Sequence, residues 1–167
     1  MNNVYLIADL HFGHKNVAEW RGFDSIDSHD NTIIENWNSK VNNNDTIWIL
    51  GDVAMGDVSN IDKLGDLKGY KKLILGNHDT RPSERYLRYV QRIYGAFPLK
   101  NTILTHIPVH PSEFPRFKYN IHGHTHNNSI FDPRYFCVSV EQINYSPVLF
   151  SDVIEILDKR NVQEEKE

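Results

Sequence analysis

Short apolar runs, each broken by a polar residue, dominate the first half of the chain. Val4-Tyr5-Leu6-Ile7-Ala8 is β-branched and aromatic and stops abruptly at Asp9, which predicts a buried strand from Asn3 to Ala8. Ile33, Ile34, Trp37 and Val41 fall at helical spacing within residues 28–41, behind a candidate cap at Asp27 or Ser28. Thr46-Ile47-Trp48-Ile49-Leu50 predicts a second strand, ended by Gly51-Asp52. Val58, Ile61, Leu64 and Leu67 recur every third residue and predict a helix closed by Gly69. Lys72-Leu73-Ile74-Leu75 reads as a third strand, and a helix opening at Pro82 would carry Tyr86, Leu87, Val90 and Ile93 on one face. Strand and helix in alternation predict a parallel α/β sheet.

Past Gly95 the pattern becomes β-rich. Residues 96–99, 102–105, 119–122, 136–140 and 148–150 read as strands with short or irregular links, and 151–159 as a terminal helix. Residues 161–167, nearly without apolar side chains after Val162, read as a disordered tail. The length of 167 residues, 40% hydrophobic and 24% charged, suits a single domain over 1–167. No apolar run approaches the ~20 residues of a membrane span, and no basic leader precedes the first strand, so no membrane role is expected. The lone cysteine, Cys137, excludes an internal disulfide and a cysteine-rich zinc site, and it fits a reducing compartment, the cytoplasm. Eighteen Lys and Arg against 22 Asp and Glu leave a net charge of -4, which excludes a general cationic surface for long nucleic acid. Nine histidines are the compositional oddity, and they direct attention to metals.

One local design recurs: a short apolar strand that ends in a metal-capable side chain. It occurs at Ile7-Ala8-Asp9, Ile49-Leu50-Gly51-Asp52, Ile74-Leu75-Gly76-Asn77-His78, Ile103-Leu104-Thr105-His106 and Asn120-Ile121-His122-Gly123-His124. Ligands of open α/β sheets bind beyond the carboxyl ends of the strands, so these termini are expected to converge. Asp9, His11, Asp52, Asn77, His106, His124 and His126 together offer carboxylate, amide and imidazole but no thiolate. That mixture suits Mn, Fe, Zn or Ni. Seven donors are too many for one ion with an open position. They suit two divalent ions sharing a carboxylate, the usual clamp for in-line displacement at phosphorus. Two such ions outweigh the two carboxylates, and the excess positive charge would attract phosphate.

In order, these stretches read Asp9-Leu10-His11, Gly51-Asp52, Gly76-Asn77-His78-Asp79, a lone His106, and Gly123-His124-Thr125-His126. Over about residues 4–150 the chain resembles the calcineurin-like metallophosphoesterase superfamily, and within it the short, cap-less bacterial and phage members. The resemblance implies an α/β (α+β) fold in which a two-sheet β-sandwich is flanked by helices. It further implies that Asp9, His11 and His126 hold one metal, that Asn77, His106 and His124 hold the other, and that Asp52 bridges. His78 would stabilise charge on phosphate or protonate the leaving oxygen, with Asp79 orienting its ring, and a bridging hydroxide would be the nucleophile. The first motif departs from the pattern, because its glycine comes one residue late in His11-Phe12-Gly13-His14. That leaves His14 equally a contact for substrate phosphate or a cap for residues 15–21. The second lacks a further acid close behind Asp52, since Val53-Ala54-Met55 intervenes.

Blander roles are expected elsewhere. His29 reads as a solvated helix start, His122 as a satisfied core histidine, His110 as loop packing and Cys137 as a small buried hydrophobe. Lys15, Arg21, Arg81, Arg116 and Lys118 either steer phosphate or line solvated loops, and Arg116-Phe117-Lys118-Tyr119 interleaves cations with rings as base-stacking surfaces do. Trp20, Trp37 and Phe117 read equally as core or as contact. The expected activity is hydrolysis of small phosphodiesters or phosphomonoesters, nucleotides among them, with Mn the favoured metal and His14 and Arg81 at the substrate. A nuclease of single-stranded ends, a non-catalytic scaffold that keeps its metals, and a site responsive to metal or redox are the alternatives.

Overall fold

The computed structural model describes residues 2–164. From its start the chain runs through β1 (Val4–Ile7), α1 (Lys15–Trp20), α2 (Ile26–Lys40), β2 (Thr46–Ile49), a 3-10 helix (Val58–Asp66), β3 (Tyr70–Ile74), α3 (Ser83–Tyr86) and β4 (Arg92–Tyr94). It continues with β5 (Ala96–Leu99), β6 (Thr102–Thr105), a 3-10 turn (Pro111–Glu113), β7 (Tyr119–His122), β8 (Tyr135–Cys137), β9 (Val148–Leu149) and α4 (Phe150–Glu164).

Two sheets form, in the orders β4-β3-β2-β1-β9 and β5-β6-β7-β8. In the first, β1 to β4 are parallel and β9 joins antiparallel; in the second, β6 to β8 are parallel and β5 antiparallel. The continuous apolar runs are the reason for the layering: Tyr5, Leu6 and Ile7 in β1 and Ile47, Trp48 and Ile49 in β2 are buried on both sides. Trp48 of β2 meets Phe97 of β5 with ring centroids 4.5 Å apart, and Tyr94 packs on both, so aromatic contacts join the sheets. The result is a two-sheet α/β sandwich flanked by helices. No described helix is long and apolar enough to cross a membrane.

Several elements differ from expectation. The hydroxyl of Ser25 caps α2, accepting from the Ser28 N–H at 3.0 Å, so the helix starts ahead of the expected Asp27 or Ser28. The apolar spacing of three from Val58 makes a 3-10 helix, whose period is itself three. Behind Pro82 only Ser83–Tyr86 is helical, because Ile93 pairs with Leu73 as part of β4 and Leu87 faces solvent. Carrying the helix on to Ile93 would forgo the pairing of β4 on the edge of β3, and the strand pairing wins. At the far end α4 continues to Glu164, so residues 161–164 are helix and not tail; residues 165–167 of that expected tail lie outside the described residues.

Candidate metal centre

The carboxyl ends of β1, β2, β3, β6 and β7 meet at one edge of the sandwich and deliver Asp9, Asp52, Asn77, His106 and His124 together. Two groups result, Asp9–His11–His126 and Asp52–His106–His124, within each of which one donor atom per residue lies within 4.8 Å of the others. A single oxygen, Asp52 Oδ2, stands between the groups, 3.6 Å from His11 Nε2 and 3.4 Å from His106 Nε2. Asn77 Oδ1 is 2.9 Å from His106 Nε2 and so belongs with the second group. All seven expected donors are therefore brought to one place.

Backbone conformation aims them. Asp9, His11, Asp52, His124 and His126 all have positive φ, between 49° and 69°. For residues with a Cβ this left-handed geometry costs roughly 1–2 kcal/mol each, strain of the kind that accumulates at functional sites. Cross-strand hydrogen bonds hold it in place: the Asp9 N–H donates to the Gly51 carbonyl and the His11 N–H to the Asp52 carbonyl, both at 3.0 Å. Glycine before two of the donors is required by space. A Cβ on Gly76 would sit 2.1 Å from Asp52 Oδ1, and one on Gly123 would sit 2.6 Å from Asp9 Oδ2.

The chemistry of the donors fits divalent cations. Asp9 is fully buried; its Oδ2 accepts from the His124 N–H at 2.9 Å and the Ser139 hydroxyl at 2.7 Å, while Oδ1 accepts no hydrogen bond. Burial raises the pKa of this carboxyl above its ordinary value. Neither ring nitrogen of the buried His11 makes a hydrogen bond, and burial pushes its pKa down to about 3. His106 Nδ1 lies 2.7 Å from the Leu50 carbonyl, which can only accept, so that nitrogen carries the hydrogen. The lone pair of His106 Nε2 is then turned toward two oxygens, those of Asn77 and Asp52. Electron-rich atoms facing one another are reconciled by a cation. Without one, a proton substitutes: burial lowers the pKa of His106, but the hydrogen bond to Asp52 and its charge outweigh that and raise it.

Behind these donors runs a buried polar chain that sequence reasoning missed. Glu141 Oε1 accepts from His126 Nδ1 at 2.8 Å, leaving Nε2 as the free donor atom. The same oxygen accepts from Arg21 Nε at 2.7 Å and lies 2.6 Å from a terminal guanidinium nitrogen. Burial alone would raise the pKa of Glu141, but the His126 hydrogen bond and the Arg21 charge hold it below the usual range. Arg21 also donates to the carbonyl of Asp9 at 2.8 Å and to that of Leu10 at 3.3 Å, and its side chain is fully buried. It therefore steers no phosphate. Its remaining contact is His29 Nε2 at 2.7 Å, and His29 Nδ1 donates to Asp30 Oδ1 at 2.6 Å. Asp30 in turn accepts from Lys63 and from the Gly13 N–H. His29, expected in solvent, is wholly buried.

Asp79 also departs from expectation. Its carboxylate accepts three backbone N–H groups, from Asp52 at 2.8 Å, Val53 at 2.9 Å and Gly76 at 2.8 Å, so it pins the loops after β2 and β3 and does not orient the ring of His78. His78 is exposed; its N–H donates to Asp52 Oδ1 at 2.9 Å, and its ring centroid lies 5.6 Å from that of His11. His14 caps α1 through Nδ1, 3.4 Å from the Val17 nitrogen, and its ring also lies 5.6 Å from that of His11. Arg81 donates to the Gly56 carbonyl at 2.8 Å and has no hydrogen bond to the donor groups. His122 is buried with Nδ1 2.7 Å from the Gly123 carbonyl, His110 is exposed and caps the 3-10 turn, and Cys137 is partly buried against Ser139. Lys118 pairs with Asp158 where β7 begins, so the Arg116–Tyr119 stretch lies at the opposite end of that strand from His124.

Fold and site together define a two-sheet α/β sandwich with paired Asp/His groups at the carboxyl ends of its strands. No family model matches the chain. It is 33% identical over 166 residues to the Gene 66 protein of Mycobacterium phage L5, covering 78% of this chain and 80% of that protein. It is 30% identical over 174 residues to the uncharacterized protein MJ1445 of Methanocaldococcus jannaschii, covering 97% of this chain and 95% of that one. The chain belongs to the family these proteins form. The crystal structure of AQ665 from Aquifex aeolicus, a protein of unknown function, has the same fold, with a TM-score of 0.77 at 22% identity over 93% of this chain and 100% of that one.

Proposed function

We propose that the protein is a metal-dependent phosphoesterase, hydrolysing small phosphodiesters or phosphomonoesters at a pair of divalent cations. The observation that carries this reading is the position of Asp52 Oδ2 between two groups, each of which also supplies histidines. Asp9, His11 and His126 would hold one ion, Asn77, His106 and His124 the other, and Asp52 both. Bound there, divalent ions supply charge neutralisation at the phosphate oxygens and a water of lowered pKa. Oxygen and imidazole donors without thiolate favour Mn, with Fe, Zn and Ni as alternatives.

The chain's own groups supply the rest. His78, exposed beside His11, would give a proton to the leaving oxygen. Asp79 keeps the loops of Asp52 and Asn77 in position. Glu141 fixes the tautomer of His126 and raises its basicity. A reducing compartment, the cytoplasm, suits an enzyme with one unpaired cysteine.

The test is to strip the protein with a chelator, restore Mn, Fe, Zn or Ni in turn, and offer a phosphomonoester, a phosphodiester and a short oligonucleotide. Metal-restored hydrolysis of the small esters is expected. Tight metal binding with no turnover on any of them would make the protein a non-catalytic scaffold and refute the proposal.

A further inference from the structure

Of three tryptophans, Trp37 and Trp48 are buried, while Trp20 is 57% exposed. An indole left more than half in water forgoes much of the burial a large apolar ring normally gains. Trp20 is the last residue of α1, and its ring meets that of His126 edge to face, 5.7 Å between centroids and 87° between planes. The indole thus stands at the rim of the donor groups.

It is also held there. The side chain of His14 caps the start of α1, Ala18 is buried beneath the helix, and the next residue, Arg21, is locked to Glu141 and to the carbonyl of Asp9. The helix end that carries Trp20 is thus tied through Arg21 to the backbone of the first donor, unlike a loose surface loop. An exposed aromatic on an anchored helix end, next to a site that attracts phosphate, has the elements of a stacking platform, because flat bases stack on such rings whatever their sequence.

We propose that Trp20 stacks against a flat aromatic group of the substrate, a nucleobase, and that nucleoside phosphoesters are the substrate class. The proposal rests on the phosphoesterase reading for where the phosphorus sits, but the stacking itself can be measured without turnover.

The experiment uses the full chain loaded with Zn2+ and two non-hydrolysable probes, the phosphonate analogue of adenosine monophosphate and ethylphosphonate. With the other two tryptophans buried, quenching of fluorescence by the adenosine probe reports Trp20. Calorimetry then gives the preference for the adenosine probe over ethylphosphonate in wild type, Trp20→Phe and Trp20→Ala. Stacking is expected to show as a preference that falls roughly 5- to 150-fold in Trp20→Ala and is kept in Trp20→Phe. Equal loss for both probes would make Trp20 a support for His126 and overturn the proposal, as would an absence of preference in wild type. Preference without any hydrolysis would leave the platform standing and sink the phosphoesterase reading; hydrolysis without preference would do the reverse.

Discussion

Replacing Glu141 by glutamine should weaken one metal position and leave the other nearly intact. The carboxylate receives His126 on one side and the buried guanidinium of Arg21 on the other, with its own side chain 4% exposed. Glutamine keeps the volume and one acceptor oxygen but removes the charge. Hydrogen bonds to charged groups contribute about 1.5–3 kcal/mol. That range is the expected loss, below the ~3–5 kcal/mol of a buried charge left with no partner, which Glu141→Ala should approach. In a chain of this size the loss for Glu141→Gln corresponds to roughly 3–12 °C in Tm. Removing a partner that orients a ligating histidine typically costs about 10- to 100-fold in metal affinity, and only the Asp9–His11–His126 group should register it. Urea unfolding of the metal-free protein and a two-site calorimetric titration read the two effects separately. Wild-type stability together with wild-type affinity at both positions would refute the reasoning, and so would equal weakening of both.

Three further outcomes follow. His78→Ala should keep its metal content yet lose roughly 10²- to 10⁴-fold in kcat, the usual contribution of a proton donor; collapse of metal content would make His78 a ligand instead. Asp30 should contribute to stability above its unfolded pKa of 3.8 and lose that contribution as pH falls through its lower folded value. Burial alone would raise that pKa, and the hydrogen bonds from His29, Lys63 and the Gly13 N–H reverse the effect. Acid unfolding of Asp30→Asn should accordingly be shallower below about pH 3.8 than that of the wild type, and identical curves would contradict the network. Gly123→Ala, whose Cβ would meet Ala8 and Asp9 at 2.6 Å, should unfold at lower denaturant concentration and bind metal more weakly; wild-type values for both would show that the β7 loop can shift aside.

What could be read from the chain was whatever lies in contiguous residues. Each parallel strand is an apolar run that stops at its functional side chain, so the strand ends and their donors were legible together. Ile93 fits a helical spacing and an edge strand equally until β3 offers a partner. The Arg21–Glu141 pair spans 120 positions, and neither residue sits in a motif, so only folding makes it visible. A helix start is normally solvated, but Arg21 and Asp30 close around His29 and bury it. Asp79 adjoins His78 in sequence, whereas the turn sends its carboxylate to the backbone of Asp52, Val53 and Gly76. The left-handed conformation of five donors had no signal at all, since none of them is glycine.

Anomalous scattering from crystals grown with Mn2+ or Zn2+ examines the paired site most directly. Two cation peaks are expected, one against Asp9, His11 and His126 and one against Asn77, His106 and His124, with the Asp52 carboxylate touching both. A single peak, or peaks seated on other residues, would contradict it.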